Sequence, residues 1–199
     1  TVARAVLRHC TDLGIAAATL SIDDLYLTRA ERERLAREVH PLLLTRGPPG
    51  THDIALGLDT IAALERGEAV RLPAFDKSVN DRAPESDWPL ALADCRVLVL
   101  EGWCVGARPE REEALQQPVN ALEEREDPDG LWRSYVNCAL SGEYQDLFAR
   151  LDALVLLAAP GFEAVFDWRM QQEQGLRARA GADASGLMDA AAIARFIQH

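Results

Sequence analysis

The chain has 199 residues, which is enough for one α/β domain that buries a core without disulfide or metal support. Hydrophobic residues make up 48% and charged residues 27%, a composition that excludes disordered, collagen-like and coiled-coil chains. The 21 basic and 32 acidic residues give a net charge of -11, which argues against nucleic acid and anionic membranes as partners.

The cellular setting is predicted from what the sequence lacks. No apolar run approaches the roughly 18 residues that a membrane span needs, and no secretory signal opens the chain. The four cysteines show neither zinc-site spacing nor the density of a disulfide scaffold, which predicts reduced thiols. We therefore expect a soluble, cytoplasmic protein.

The first elements predicted in chain order are a helix and a buried strand. Apolar spacing predicts a helix over 1–13, with Gly14 at its C-terminal end and no start signal of its own. The apolar run 15–22 predicts a buried strand. That strand stops at two acids, Asp23 and Asp24.

Two helices and a constrained loop follow. Thr28 and Glu31 fit a capping box for a helix that ends near Val39. The segment 46–53, RGPPGTHD, is rich in Gly and Pro and predicts a loop of fixed backbone geometry. Asp53 is placed to cap the next helix, which ends at Gly67.

The central part of the chain predicts a polar loop and a second strand. A short extended piece over 69–75 leads into the segment DKSVNDRAPESDWP, whose composition predicts an ordered or mobile surface loop. The run 96–100, RVLVL, predicts a second buried strand, which ends at Glu101.

Helical patterns dominate the remainder. They extend from about 109 to 151 with interruptions near Pro118 and 127–130, and they return over 163–179 and 188–198. Between them, 153–158 predicts a third strand. Strands separated by helices predict a single domain over 1–199, with a parallel sheet covered by helices on both faces in a three-layer α/β/α arrangement.

The acids that follow the strands indicate where chemistry would occur. Ligands of open α/β sheets lie beyond the carboxyl ends of the strands, where Asp23, Asp24 and Glu101 are placed. In phosphoryl transfer, carboxylates at such positions hold magnesium or accept a hydroxyl proton. The alternative is that these acids cap helices or face water. No phosphate-binding GxxxxGK[ST] sequence occurs in the chain.

Seven segments in order resemble the D-glycerate 3-kinase-like P-loop kinases, relatives of the uridine kinase, phosphoribulokinase and pantothenate kinase group. The segments are SIDDLYLT (21–28), HPLL (40–43), RGPPGTHD (46–53), LPAFDKS (72–78), LEGWCVGA (100–107), WRSYVN (132–137) and FDWRMQQE (166–173). The resemblance implies a P-loop NTPase-like fold truncated at both ends. The Walker A segment would directly precede Thr1, and a strand and helix would follow residue 199.

The resemblance also implies transfer of the γ-phosphoryl group of ATP, with Mg²⁺, to a hydroxyl of D-glycerate or a similar hydroxy acid. Asp23 then acts as general base or metal-organising carboxylate, Glu101 holds magnesium through a water, and Thr1 lies at the nucleotide phosphates. Arg169 stabilises the transferring phosphoryl group from a lid formed by about 109–151 and 163–180. The residues expected around the acceptor are Asp24, Tyr26, Arg46, His52, Asp53, Lys77, Arg82 and Arg133.

Each assignment has a plainer alternative. His52 could be a loop-packing histidine, Lys77 a solvated surface residue, and Arg169 a helix-surface ion pair with Glu173 one turn away. At the level of function, the chain could phosphorylate another small alcohol, such as a nucleoside, pantothenate or a sugar. A non-catalytic nucleotide-binding module is the alternative outside the enzyme class. The partners expected are ATP and a small acceptor.

Overall fold

The computed structural model describes residues 1–180 and 188–199, and within them the chain is a mixed α/β fold. The helices are α1 (Val2–Asp12), α2 (Arg29–Glu38), α3 (Ile54–Glu65), α4 (Ala121–Glu126), α5 (Leu131–Ser141), α6 (Glu143–Phe148), α7 (Glu163–Ala180) and α8 (Ala190–Phe196). The strands are β1 (Ala17–Ser21), β2 (Val70–Arg71), β3 (Phe75–Asp76), β4 (Asp81–Arg82), β5 (Leu90–Ala91) and β6 (Val97–Glu101).

The two apolar runs predicted as strands pair with each other in parallel. Ala17 of β1 lies opposite Val97 of β6, and the register continues to Ser21 opposite Glu101. Leu20 and Ile22 lie in a core that α3, α5 and α6 complete. The parallel pairing predicted from the sequence is confirmed, whereas the full three-layer arrangement and the single-domain assignment stay predictions.

Helix starts follow the local capping rules. The Thr28 hydroxyl accepts from the Glu31 amide at 3.3 Å, while the Glu31 carboxylate accepts from the Thr28 amide at 2.8 Å, so the capping box is confirmed. The Asp53 carboxylate accepts from the Leu56 amide at 3.0 Å and caps α3. One expectation is wrong: α1 does have a start signal, because the Thr1 hydroxyl accepts from the Arg4 amide.

The polar segment after residue 75 forms a hairpin. Phe75 pairs with Arg82 and Asp76 pairs with Asp81 in the antiparallel strands β3 and β4. We call residues 75–82 the 75–82 hairpin. Asp81 joins it to α2 by accepting from the Arg29 amide at 3.0 Å. The loop predicted here is therefore ordered against the body of the fold.

The third predicted strand, over 153–158, is wrong. The four large side chains Leu154–Leu157 are 57–82% exposed, and the segment pairs with no strand in the described part of the chain. An apolar run becomes a buried strand only where a neighbour supplies hydrogen bonds and cover. Here Leu154 is covered on one side by Gly106, which follows β6, and is otherwise exposed.

The C-terminal half is helical with the predicted interruptions. Pro118 lies before α4, and 127–130 separates α4 from α5. No helix within 1–180 or 188–199 is long and apolar enough to cross a membrane. The assignment of 109–151 and 163–180 to a lid stays a prediction.

Candidate active site

The carboxyl edge of the parallel sheet brings the predicted acids to one side of the fold. β1 runs into a 3-10 turn, Ile22–Leu25, that presents Asp23 and Asp24. The turn starts with the Ser21 hydroxyl, which accepts from the Asp23 amide at 3.3 Å. Because Ser21 lies opposite Glu101, the two strand ends place their acids at the same edge.

The position of α1 before β1 predicts where this helix begins relative to the carboxyl edge. The helix precedes β1 across a short turn and packs against it, so the two elements run in opposite directions. Eleven helical residues span about 16 Å and the five residues of β1 about 17 Å. These lengths lead us to expect Thr1 near the level of Ser21, with the N-terminal amides of α1 at this edge.

Asp23 is held at both of its carboxylate oxygens. The Tyr26 hydroxyl donates to Oδ1 at 2.8 Å, and the Lys77 ammonium donates to Oδ2 at 2.6 Å. Burial alone would raise the pKa of Asp23, but Lys77 together with the Tyr26 hydroxyl outweighs it and holds the pKa below its ordinary value. Asp23 is therefore an ionised carboxylate at neutral pH.

The two side chains that bind Asp23 differ in their exposure to solvent. Tyr26 is 4% exposed, whereas the Lys77 side chain is 57% exposed. Burial, and then the nearby Asp23 charge, raise the pKa of the Tyr26 phenol, so Tyr26 stays a neutral donor. Oδ1 is consequently fixed by the core, and Oδ2 faces the side that solvent and Lys77 reach.

Asp24 makes different contacts from its neighbour. Its Oδ1 accepts from the Phe75 amide at 3.1 Å and so ties the 75–82 hairpin to the 3-10 turn. Burial raises the pKa of Asp24. The structure thus makes Asp24 a structural neighbour of Asp23.

His52 is buried behind Tyr26. Its ring stacks on the Tyr26 ring at a centroid distance of 4.5 Å, and its Nδ1 lies 2.6 Å from the Tyr144 hydroxyl. That hydroxyl also accepts from the Gly50 amide at 2.9 Å, so Tyr144 binds both Gly50 and His52 of the 46–53 loop. With 2% of its surface exposed, His52 favours the packing alternative, and its role at the acceptor stays a prediction.

This burial predicts a pH dependence of stability. Burial lowers the pKa of His52 from 6.5 to about 4, so between these values the unfolded chain binds a proton that the folded chain does not. The free energy of unfolding should therefore fall by about 2 kcal/mol from pH 7 to pH 5, measured by urea denaturation. A His52→Gln variant should lose most of this dependence; an unchanged slope would assign it to other groups.

Two further predicted acceptor cations, Arg82 and Arg46, contact residues that neighbour Asp23 and Asp24. Arg82 donates to Asp53 Oδ2 at 3.0 Å and to the Tyr26 carbonyl at 3.2 Å, so two predicted acceptor residues bind each other beside Tyr26. Arg46 donates to Asn80 Oδ1 and lies with its Cζ 5.6 Å from the centre of the Phe75 ring. Lys77 thus contacts Asp23 directly, whereas Arg82 lies at Tyr26 and Arg46 lies at the Phe75 ring.

Two predicted arginines are engaged elsewhere. Arg133 is buried, donates to the Asp127 carboxylate at 3.1 Å and to two backbone carbonyls, and thereby holds the start of α5. Arg169 donates to Gln172 and Glu173, each at 2.7 Å, and lies over the Phe196 ring. The structure favours the ion-pair alternative for Arg169, and its lid role stays a prediction.

The donor set is suited to magnesium bound jointly with phosphate. Glu101 is exposed, and its carboxylate has no side-chain hydrogen bond or salt bridge within the described ranges, so it is free to bind a cation or a water. No group of three or more metal-ligating side chains occurs among residues 1–180 and 188–199. Mg²⁺ held by one or two carboxylates and substrate phosphates needs no such group. Asp23, paired with Lys77, fits the base role better than the metal role.

Sequence reasoning missed three residues that build the site. Tyr144 lies in α6, Arg32 in the charged helix α2, and Asn80 in the 75–82 hairpin. Arg32 is 1% exposed and donates to the carbonyls of Leu27, Leu44 and Asn80. Asn80 has a positive backbone φ, a conformation that asparagine tolerates. This φ is visible only in the structure, so it gave the sequence analysis no signal.

Comparisons with known proteins find kinases among the relatives of this chain. No family model matches the chain. It is 35% identical over 211 residues to the uncharacterized kinase mug58 of Schizosaccharomyces pombe, covering all of this chain and 73% of that protein. It is 31% identical over 172 residues to the chloroplastic D-glycerate 3-kinase of Arabidopsis thaliana, covering 81% of this chain and 35% of that enzyme.

A solved structure is also similar. D-glycerate 3-kinase from Cryptococcus neoformans matches with a TM-score of 0.77 and 29% identity, over 95% of this chain and 68% of that one. The chain thus spans about a third of the plant enzyme and about two thirds of the fungal one. Because one relative is chloroplastic, the cytoplasmic location stays a prediction.

Proposed function

Since the chain belongs to the glycerate kinase-like kinases, we propose that it takes part in transferring the γ-phosphoryl group of ATP to a hydroxyl of D-glycerate or a similar hydroxy acid. The observation that carries the proposal is the Asp23 carboxylate. It is fixed at Oδ1 by a buried phenol and paired at Oδ2 with the Lys77 ammonium, at the carboxyl edge of a parallel sheet.

Asp23 is the base that receives the hydroxyl proton. Oδ1 keeps its hydrogen bond to Tyr26. Oδ2 accepts the hydroxyl proton after the Lys77 ammonium has moved away from this oxygen. The acceptor oxygen then forms a bond to the γ-phosphorus as the bond between that phosphorus and the leaving ADP oxygen breaks. Such reactions depend mainly on position and charge, so a weakly basic carboxylate within hydrogen-bond reach is sufficient.

The anionic part of the acceptor binds to the cationic side of the site. A chain with net charge -11 repels a hydroxy acid at long range, so local cations must supply the attraction. Arg46 is suited to grip a carboxylate with two parallel hydrogen bonds, and Lys77 is the flexible cation nearest to the base. These contacts distinguish an acid from a neutral alcohol.

The nucleotide lies across the edge from the acceptor. The free carboxylate of Glu101 would hold Mg²⁺ through a bound water, and the ion would neutralise charge on the phosphates. The amides at Thr1 and the first turn of α1 supply positive partial charge to a phosphate group.

The acceptor is identified by a coupled assay of ADP release on the complete protein that contains these residues. D-glycerate should give the highest kcat/KM, with pantothenate, uridine and glycerol far lower. Turnover of uridine or pantothenate without turnover of D-glycerate would retain the kinase and replace the substrate. Binding of ATP without turnover of any acceptor would favour a non-catalytic module.

A further inference from the structure

Two guanidinium groups converge on one asparagine in the 75–82 hairpin. Arg32 donates to the Asn80 backbone carbonyl at 2.7 Å and to its side-chain Oδ1 at 3.3 Å. Arg46 donates to the same Oδ1. Both groups lie against the Phe75 ring, with their Cζ atoms 5.8 and 5.6 Å from its centre.

Neither arginine is neutralised by this arrangement. Within the described ranges, neither forms a salt bridge, and Arg32 is satisfied by backbone carbonyls and an amide. Burial, and then repulsion by Arg46, lower the pKa of Arg32, while the nearby Asp81 opposes this. The Asp81 carboxylate itself accepts from the backbone amides of Arg29 and Arg82. Two positive charges are therefore held together by a neutral oxygen.

The arrangement leaves Arg46 available to a ligand. Asn80 engages one terminal nitrogen of its guanidinium, and no other hydrogen bond from this side chain occurs in the part of the chain that the structure describes. The Phe75 ring that Arg46 lies against meets the Tyr26 ring edge-on at a centroid distance of 5.2 Å, so one aromatic ring connects Arg46 to the residue that fixes Asp23. A carboxylate at Asn80 would instead neutralise Arg46.

We infer that Asn80 is a positioning residue: its neutral amide oxygen holds Arg46 against Phe75 and leaves the Arg46 charge for the anionic group of the acceptor. The inference rests on the proposed function for the identity of that acceptor. It assigns acceptor selectivity to a residue that need not touch the acceptor, and it explains why a neutral side chain lies between two arginines.

The test is the near-isosteric Asn80→Asp variant of the complete protein. An aspartate keeps both hydrogen bonds and adds a charge that pairs with the two arginines. KM for D-glycerate should rise about 10-fold, the scale of one charge-assisted hydrogen bond, while kcat and KM for ATP stay within about two-fold. Because KM for D-glycerate rises, the preference for D-glycerate over glycerol, measured as the ratio of kcat/KM values, should fall. The thermal midpoint should rise, because an uncompensated pair of cations gains a partner.

Val79→Asp is the matched control. Val79 lies in the same hairpin and is 62% exposed, so an aspartate there adds the same charge in solvent. This variant should leave KM for D-glycerate nearly unchanged. An unchanged KM in Asn80→Asp, or equal rises in both variants, would overturn the inference. If the wild type does not use D-glycerate, the substrate proposal fails separately. The thermal midpoint then tests whether the two arginines lack a charged partner. A rise in Asn80→Asp but not in Val79→Asp supports this part of the inference, and no rise in Asn80→Asp refutes it.

Discussion

Replacing Asp23 with asparagine is expected to lower kcat by about 10²- to 10⁴-fold, the usual contribution of a positioned general base. The amide can still accept the Tyr26 proton at Oδ1, so the 3-10 turn should keep its shape. What is lost is the capacity of Oδ2 to take a proton. The measurement is single-turnover phosphoryl transfer, with ATP affinity determined separately by calorimetry.

Asp24→Asn is the matched control for this experiment. It removes the same charge one residue away, and its amide oxygen can still accept from the Phe75 amide. We expect kcat to fall less than about ten-fold, since Asp24 supports the hairpin and does not receive the proton. Equal losses in the two variants, or an unchanged rate in Asp23→Asn, would remove Asp23 from the base role.

Lys77→Ala is expected to change both the affinity for the acceptor and the pH profile. Loss of a charge-assisted contact should lower kcat/KM for D-glycerate about 10- to 100-fold. In the wild type, Lys77 holds the pKa of Asp23 below its ordinary value against the effect of burial. Without Lys77, burial dominates and the pKa rises, so the carboxylate becomes protonated, and activity falls, at a higher pH than in the wild type.

The conservative variant Lys77→Arg separates charge from shape. It keeps a cation within reach of Oδ2, so the acid limb of the rate profile should stay near its wild-type position. The measurement is kcat/KM from about pH 4 to pH 8, with circular dichroism to confirm folding at each pH. An acid limb that stays in place in Lys77→Ala would mean that Lys77 does not control the Asp23 carboxylate.

The elements that were predicted correctly are governed by neighbours in sequence. The Thr28 capping box, the Asp53 cap and the acids at the carboxyl ends of β1 and β6 depend on residues a few positions apart, so a local pattern contains the information. The family resemblance then assigned Asp23 and Lys77 to the same site, and the structure places them in contact.

The failures concern long-range contacts. Tyr144 reaches His52 across 92 residues, and no local pattern distinguishes it from any other half-apolar helical residue. Arg32 belongs to a helix so rich in charge that its burial is unexpected. The segment 153–158 has the composition of a strand but lacks a partner in the described residues, and pairing is a property of the neighbour.

The contacts behind Asp23 form a continuous line into the helical half of the molecule. The Tyr144 hydroxyl binds the His52 ring, that ring supports the face of Tyr26, and the Tyr26 hydroxyl grips the carboxylate. The alignment of the acid is thus maintained from α6, far along the chain. A shortened version of this protein that ended before residue 131 would keep every strand-end acid. It would lose Tyr144, and with it the hydrogen bond that holds His52 behind Tyr26.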